Sequence, residues 1–201
     1  MPKQLGRAKG DGTVLDIDPS VLPVLALMAA VPWAGVRLLW RVPVRRAVPE
    51  ALLAGYALAL FCAVTFPLRP LSAESARFTW SYINLVPMRT VFEILRDFHG
   101  QVVRQLLGNV VMFTPLGFLL PVLYPRYRRF AATALAALAV SSGIELMQLA
   151  MLLSRVSGRS VDVDDVILNV TGACLGYLAW RMAHAAARSF SKQPQAMEEA
   201  A

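Results

Sequence analysis

Five long apolar runs constrain the fold of this chain more than any other feature. Of its 201 residues, 57% are hydrophobic and 16% are charged, whereas a soluble domain has about 45–50% apolar and about 25% charged residues. About 20 helical residues cross a hydrocarbon core, and backbone polar groups inside a bilayer must be hydrogen-bonded within the protein. The sequence therefore predicts an all-α, polytopic transmembrane helix bundle.

The runs predict five spans, with one further helix lying at the membrane interface. The spans are Val21–Trp40, Ala51–Leu68, Leu106–Tyr124, Phe130–Leu153 and Asp165 to about Met182. Between the second and third spans, Thr90-x-x-Glu93 has the form of a capping box. Apolar residues then recur at steps of three and four, which is typical of an amphipathic interfacial helix. Its apolar stripe consists of Val91, Leu95, Phe98, Val102 and Leu106.

The basic residues predict the topology. Arginines crowd the two short connections at 41–46 and 126–129, and short loops rich in Lys and Arg stay cytoplasmic. The N-terminus is therefore predicted outside and the C-terminus inside. We divide the chain into a polar tail (1–20), an extra N-terminal span with its cytoplasmic loop (21–50), a membrane domain (51–183) and a C-terminal tail (184–201).

The fourth predicted span contains an ionisable residue, Glu145. A charged side chain in the middle of a span costs about 3 kcal/mol on insertion scales, and such residues are functional candidates by default. Glu145 and Gln148 are three residues apart, so they share a helix face, and Ser141 lies one turn earlier on that face. The competing interpretation is a structural glutamate that is protonated or hydrogen-bonded. The functional interpretation is that Glu145 acts as a general acid–base residue in catalysis.

The fifth predicted span carries a second polar stripe. Asp165, Asn169, Gly172 and Gly176 recur at helical spacing, and the two glycines form a GxxxG pattern that lets another helix approach closely. The simplest packing sets this stripe against the Glu145 face. In the predicted topology, both stripes and Asn109 lie toward the outside of the membrane.

Charged residues around the connection before the fifth span have two interpretations each. Asp162, Asp164 and Asp165 could cap the helix that follows, or they could belong to a ligand site. Arg159 could contact lipid phosphate or pair with Asp162, or it could capture an anionic head group together with Arg89.

The charge and the motifs of the sequence limit the classes of partner that the chain is expected to bind. The formal net charge of +7 comes from arginines that flank apolar runs, which favours anionic lipid over nucleic acid, and no nucleic-acid motif is present. The DxDD pattern does not match the spacing of an EF-hand loop. We predict no metal and no cofactor.

Several ordered motifs resemble the VanZ-like family of bacterial membrane proteins. They are Asn84-Leu-Val-Pro87, Leu107-Gly-Asn-Val-Val-Met-Phe-Thr-Pro-Leu-Gly-Phe118, Glu145-Leu-Met-Gln148, Gly158-Arg-Ser-Val-Asp-Val-Asp-Asp165 and Asn169-x-x-Gly172. The similarity runs from about Ala51 to Met182. The resemblance implies a multi-pass protein of the bacterial cytoplasmic membrane. The founding member of the family is associated with low-level resistance to the glycopeptide teicoplanin.

Three functions remain as hypotheses. The first is an envelope protein whose outward-facing polar site binds a lipid-linked or glycopeptide ligand. The second is a membrane-embedded enzyme that modifies a lipid head group, with Glu145, Asp162 or Asp165 as the acid–base residue. The third, a small transporter, is weaker because only the outer half is visibly polar. The predicted ligand-binding residues are Asn84, Arg89, Asn109, Glu145, Gln148, Arg159, Asp162, Asp164, Asp165 and Asn169.

Overall fold

In the part of the chain that the structure describes, five long helices form the membrane bundle. The computed structural model describes residues 21–66, 68, 75–90, 92 and 100–198. Within these residues the long helices are α1 (Leu22–Leu39), α2 (Val44–Thr65), α3 (Gly100–Leu123), α4 (Phe130–Leu153) and α5 (Val163–Glu198). Each contains a stretch long and apolar enough to cross a membrane. The predicted fold class, an all-α bundle with five spans, is confirmed.

Two very short strands interrupt the helical pattern at one end of the bundle. β1 (Ile83–Asn84) and β2 (Val161–Asp162) pair in parallel, with Ile83 opposite Val161 and Asn84 opposite Asp162. Short 3-10 segments occupy Ser75–Tyr82 and Pro125–Arg128. The strand pair joins the connection after α2 to the residues that precede α5.

Some helix bounds differ from the predicted ones. α2 begins at Val44, before the predicted Ala51, and its polar first turns are stabilised because Glu50 pairs with Arg37 and Arg46. Most of the predicted interfacial helix (91 and 93–99) lies outside the described residues, and residues 100–106 belong to α3. The polar tail at 1–20 also lies outside them. Helix α5 continues through the predicted C-terminal tail as far as Glu198.

Helices α3 and α5 form the closest pair in the bundle. A Cβ atom added to Gly172 or Gly176 of α5 would overlap the backbone of α3 at Val110 or Thr114, and one added to Gly117 of α3 would overlap Ala173 of α5. The prediction that the stripe of Asp165, Asn169, Gly172 and Gly176 packs on the Glu145 face of α4 is therefore wrong for the two glycines, whereas Asn169 does contact that face through Ser141. Small residues on both α3 and α5 let their backbones meet, which is how helices pack tightly in a bilayer.

Helix α1 packs along α2 and has no buried residue of its own. The contact is close at Gly55, where a Cβ atom would overlap the backbone carbonyl of Ala26. Helix α2 in turn is tied to α3, because the Tyr56 hydroxyl donates to the carbonyl oxygen of Met112 at 3.0 Å. The exposed apolar side chains of α1 are suited to lipid.

Candidate polar binding site

One face of α4 is buried, and its second half is polar. The buried residues follow each other at intervals of four or three along the helix, which places them on a single face. They are Thr133, Ala137, Ser141, Glu145, Gln148 and Leu152. Both Glu145 and Gln148 are only 8% exposed. Helix α4 therefore turns its ionisable side chain into the bundle and away from lipid.

These polar residues line a cavity of about 480 Å³. It lies at the end of the bundle where α2 and α4 finish and α5 begins, which we call the polar end. Six of the ten predicted site residues line it: Asn109, Glu145, Gln148, Arg159, Asp165 and Asn169. Three helices and the connection between α4 and α5 thus contribute polar groups to one space.

The two carboxylates of the cavity are each hydrogen-bonded to the protein. Glu145 Oε2 accepts the backbone N–H of Asp162 at 3.0 Å. Asp165 Oδ1 accepts the side-chain amide of Asn109 at 2.5 Å. These bonds join α4 to the residues before α5, and α3 to the first turn of α5. A carboxylate has about four lone-pair sites, so Glu145 keeps capacity for a ligand.

Arg159 fastens the end of α2 to the cavity. Its Nη1 donates to the carbonyl oxygen of Ala63 at 3.0 Å and to that of Val64. The last carbonyls of a helix lack partners within it, and the residue four positions after Ala63 is Pro67, which has no N–H. A cation at a helix C-terminus is also favoured by the helix dipole.

The electrostatic surroundings of Arg159 are mixed. Burial lowers the pKa of its guanidinium, and the nearby carboxylates of Asp165 and Glu145 oppose that shift. An arginine stays protonated in proteins, so the cavity holds a fixed positive charge. Because one Nη group is used by α2, Arg159 is partly structural, and its remaining donors are what a ligand could use.

The other four predicted residues do not line the cavity. Asp162 accepts the Asn84 amide at 2.8 Å and the Thr90 hydroxyl at 2.7 Å, and it also accepts the backbone N–H of Asp164 at 2.9 Å as a helix cap does. Asp164 accepts the backbone N–H groups of Met88 at 2.5 Å and Thr90 at 2.8 Å. These residues anchor the segment 84–90 on the start of α5.

Arg89 lies in the same segment, is exposed, and does not line the cavity. The structure therefore does not bring Arg89 and Arg159 into one cavity, as joint capture of an anionic head group requires. The capping interpretation accounts for Asp162, whereas Asp164 binds a separate segment of the chain.

Sequence reasoning missed the contribution of α2 and several small or apolar wall residues. They are Ala63, Val64, Met112, Ile144, Gly158 and Ser160. Ala63 and Val64 act through backbone oxygens, for which side-chain patterns give no signal. Pro67 was the sequence signal for this contribution of α2, because a proline has no N–H to donate to the carbonyl four residues before it.

Two buried acceptors in the wall lack a partner among the described residues. They are Gln148 Oε1 and Asn169 Oδ1, and Asn169 is only 2% exposed. The amide nitrogen of Asn169 is used, since it donates to the Ser141 hydroxyl at 2.9 Å. Buried polar atoms are nearly always hydrogen-bonded. These two acceptors, with the two carboxylates, suit an occupant that supplies hydrogen-bond donors.

Metal binding receives no support from the side chains that the structure describes. No three His, Cys, Asp or Glu residues among them are grouped as a metal site would require. The chemistry available in the cavity is hydrogen bonding, charge pairing and proton transfer by a carboxyl group.

The fold and cavity define a multi-pass membrane protein with a polar site between its helices. The model of the VanZ/LLP1 family matches residues 53–184, which is more than half of the chain, and the chain belongs to this family. The match begins within α2, at residue 53, and continues into α5, leaving α1 and the first turns of α2 outside. No curated protein and no solved structure matches the chain. The resemblance seen in the motifs is thereby confirmed.

Proposed function

We propose that this protein serves the bacterial cell envelope by binding the polar part of a lipid-linked cell-wall precursor or of a glycopeptide. It would lie in the cytoplasmic membrane with the cavity at the outer face. The observation that carries the proposal is the 480 Å³ cavity with two unpartnered acceptors in its wall. Carboxylates, amides and one guanidinium together match a ligand with several hydroxyl, amide or amine groups.

The position of the cavity supports a ligand with a membrane anchor. The cavity lies at one end of the bundle, next to the last turns of α2 and the first turns of α5. A head group held there leaves its lipid chain free to lie along the exposed apolar helices. Glycopeptides of the teicoplanin type act on peptidoglycan precursors at the outer face of the cytoplasmic membrane. Both proposed ligand classes could therefore reach a cavity at that face.

Gln148→Met tests binding because it keeps the side-chain length and removes the amide. The full-length protein in nanodiscs is titrated separately with a lipid-linked peptidoglycan precursor and with teicoplanin. We expect at least one of them to bind, and the variant to bind it about tenfold more weakly, which corresponds to about 1.4 kcal/mol. The variant should be as stable as the wild type or more stable, since an unpartnered buried amide oxygen is removed.

Leu146→Met is the matched control, because Leu146 is on the same helix and is exposed toward lipid. It should bind as the wild type does. Equal affinity of the wild type and Gln148→Met for both ligands, or no binding of either ligand by the wild type, contradicts the proposal.

A second candidate function is acid–base modification of a lipid head group. The observation that favours it is the placement of two carboxyl groups, Glu145 and Asp165, in one cavity with a guanidinium. Asp162, the third predicted acid–base residue, is engaged by Asn84 and Thr90 outside that cavity.

Glu145→Gln separates the two functions. The glutamine keeps an oxygen that can accept the Asp162 N–H, so the fold is retained while the titrating group is lost. Envelope lipids are compared between wild type, deletion and Glu145→Gln strains at equal expression. An enzyme predicts that Glu145→Gln reproduces the lipid profile of the deletion while the purified variant still binds its ligand. A wild-type profile in Glu145→Gln rules out catalysis by Glu145.

A further inference from the structure

A second cavity, also of about 480 Å³, lies at the opposite end of the bundle. It is formed by the end of α1, the start of α2 and the residue after α3. Its polar and aromatic wall consists of Trp33, Arg37, Arg46, Glu50 and Tyr124, and three apolar residues of α2 complete it. It shares no residue with the polar cavity.

The charges in this wall do not cancel. Arg37 binds the Glu50 carboxylate through two nitrogens, at 2.5 and 3.0 Å, and Arg46 binds the same carboxylate through Nε at 3.0 Å. Two guanidinium groups therefore share one carboxylate, which leaves one positive charge in excess. The side chain of Arg46 is 61% exposed, whereas those of Arg37 and Glu50 are 22% and 11% exposed. Arg46 is thus the cation that an incoming group can reach.

The surroundings add aromatic rings and a further cation. Tyr124 lines the cavity, and the guanidinium of Arg126 lies 5.7 Å from the centre of its ring and 4.6 Å from that of Tyr127. Trp33 is half exposed beside them. Tryptophan and tyrosine concentrate at the level of lipid head groups, so the cavity has the composition of an interfacial site.

We propose that this cavity binds the head group of an anionic phospholipid. Guanidinium groups bind phosphate oxygens through paired hydrogen bonds. Glu50, which is paired with Arg37, also binds Arg46 and so holds its guanidinium at the cavity. The apolar wall residues Leu53, Ala54 and Ala57 follow Glu50 along α2, which suits the first carbons of an acyl chain. The excess positive charge selects a net anionic lipid over a zwitterionic one. This site does not depend on the function proposed for the polar cavity.

The test uses the full-length protein in a neutral detergent and native mass spectrometry. Dihexanoyl phosphatidylglycerol, dihexanoyl phosphatidylcholine and inorganic phosphate are titrated separately. We expect phosphatidylglycerol to bind at least fivefold more tightly than phosphatidylcholine. Arg46→Gln should weaken phosphatidylglycerol about tenfold, and Arg46→Lys should weaken it less, because the lysine keeps the charge and loses the planar fork.

Arg45→Gln is the control, since it removes the same charge from the neighbouring residue, which does not line the cavity. It should leave the preference for phosphatidylglycerol unchanged. Equal loss in Arg45→Gln and Arg46→Gln would overturn the proposal in favour of a diffuse basic surface. Displacement of the lipid by equimolar inorganic phosphate would also overturn it, because the site would then recognise free phosphate.

Discussion

At the scale of single residues, acidic side chains at the polar end have different roles that their sequence positions do not distinguish. Asp164 and Asp165 are adjacent, yet Asp165 lines the polar cavity and Asp164 holds the segment 84–90. The difference follows from the helix: successive residues point about 100° apart. Arg159 is a similar case, since its partners are the end carbonyls of α2.

Asp164→Asn should destabilise the protein without touching the cavity. Asp164 is almost fully buried and accepts two backbone N–H groups, one from Met88. An asparagine offers one acceptor oxygen and adds an NH₂ group, so one N–H loses its partner. A bond to a charged group contributes about 1.5–3 kcal/mol, and we expect a loss of this size in the free energy of unfolding, measured by denaturation in detergent.

Met88→Gly is the companion variant for this prediction. Met88 has a φ of 66°, a left-handed conformation that glycine adopts without steric cost, and the variant keeps the backbone N–H. It should be as stable as the wild type. If Asp164→Asn unfolds at the same point as the wild type, the contacts with Met88 and Thr90 do not hold the segment.

At the scale of helices, the contact between α3 and α5 depends on glycines. Gly172→Ala should destabilise the bundle, because its Cβ atom has no room against the backbone of Val110. Overpacking costs about 1–3 kcal/mol, and we expect a loss in that range in the same unfolding measurement. Gly143→Ala in α4 is the matched control, since no atom lies within 4 Å of its added Cβ.

The control should be neutral or slightly stabilising, because alanine favours helix over glycine. Equal stabilities of Gly172→Ala and Gly143→Ala would show that α3 and α5 are not packed as closely as described.

The positions of the helices could be predicted from sequence more completely than which helices pack against each other. Hydropathy located all five spans because each helix must satisfy its own backbone in a bilayer. The glycine stripe of α5 showed that a close contact exists, but a pattern on one helix does not say which helix approaches it. Gly117 on α3 was the complementary signal. The early start of α2 could not be predicted, because a charged sequence around Glu50 is typical of a loop. Only the structure shows that Glu50 pairs with Arg37 and Arg46.

The polar site was accessible from sequence for a similar reason. Polar groups inside apolar spans, such as Glu145 and Asn169, are unfavourable in lipid and are expected to interact with one another inside the protein. The structure places these two residues at one cavity. Asn84 and Asp162 share the polar end but belong to the strand pair beside it. Spacing along the chain could not separate the cavity from this neighbouring network, because both involve residues 158–165.

At the scale of the whole molecule, the two ends of the bundle differ in charge and in shape. The polar end holds carboxylates and amides around Arg159, and the opposite end holds Arg37, Arg46 and Arg126 with aromatic rings. The five candidate spans among the described residues, an odd number, would place the start of α1 and the end of α5 on opposite sides of a membrane. The positive-inside rule assigns the arginine-rich end to the cytoplasm, and on that basis we propose that the polar end is the outer one.

Cysteine labelling in intact cells tests this orientation. Ser157 is only 1% exposed and is a poor reporter, so the outer label is placed at Val156, which is exposed in the same connection. Arg128 is the reporter at the opposite end, where its side chain is also exposed. Both substitutions are made after Cys62 and Cys174 are replaced by alanine. We expect a membrane-impermeant maleimide to label Val156→Cys directly and Arg128→Cys only after permeabilisation.

The parent without cysteines controls for background labelling, and a permeant maleimide shows that both sites react when reached. The reverse pattern would place the polar cavity in the cytoplasm. Precursors and glycopeptides at the outer face could then not reach it, and the proposed ligands would be excluded together. The anionic-lipid cavity would move to the outer leaflet but keep its chemistry, because its arginines, not its orientation, define what it binds.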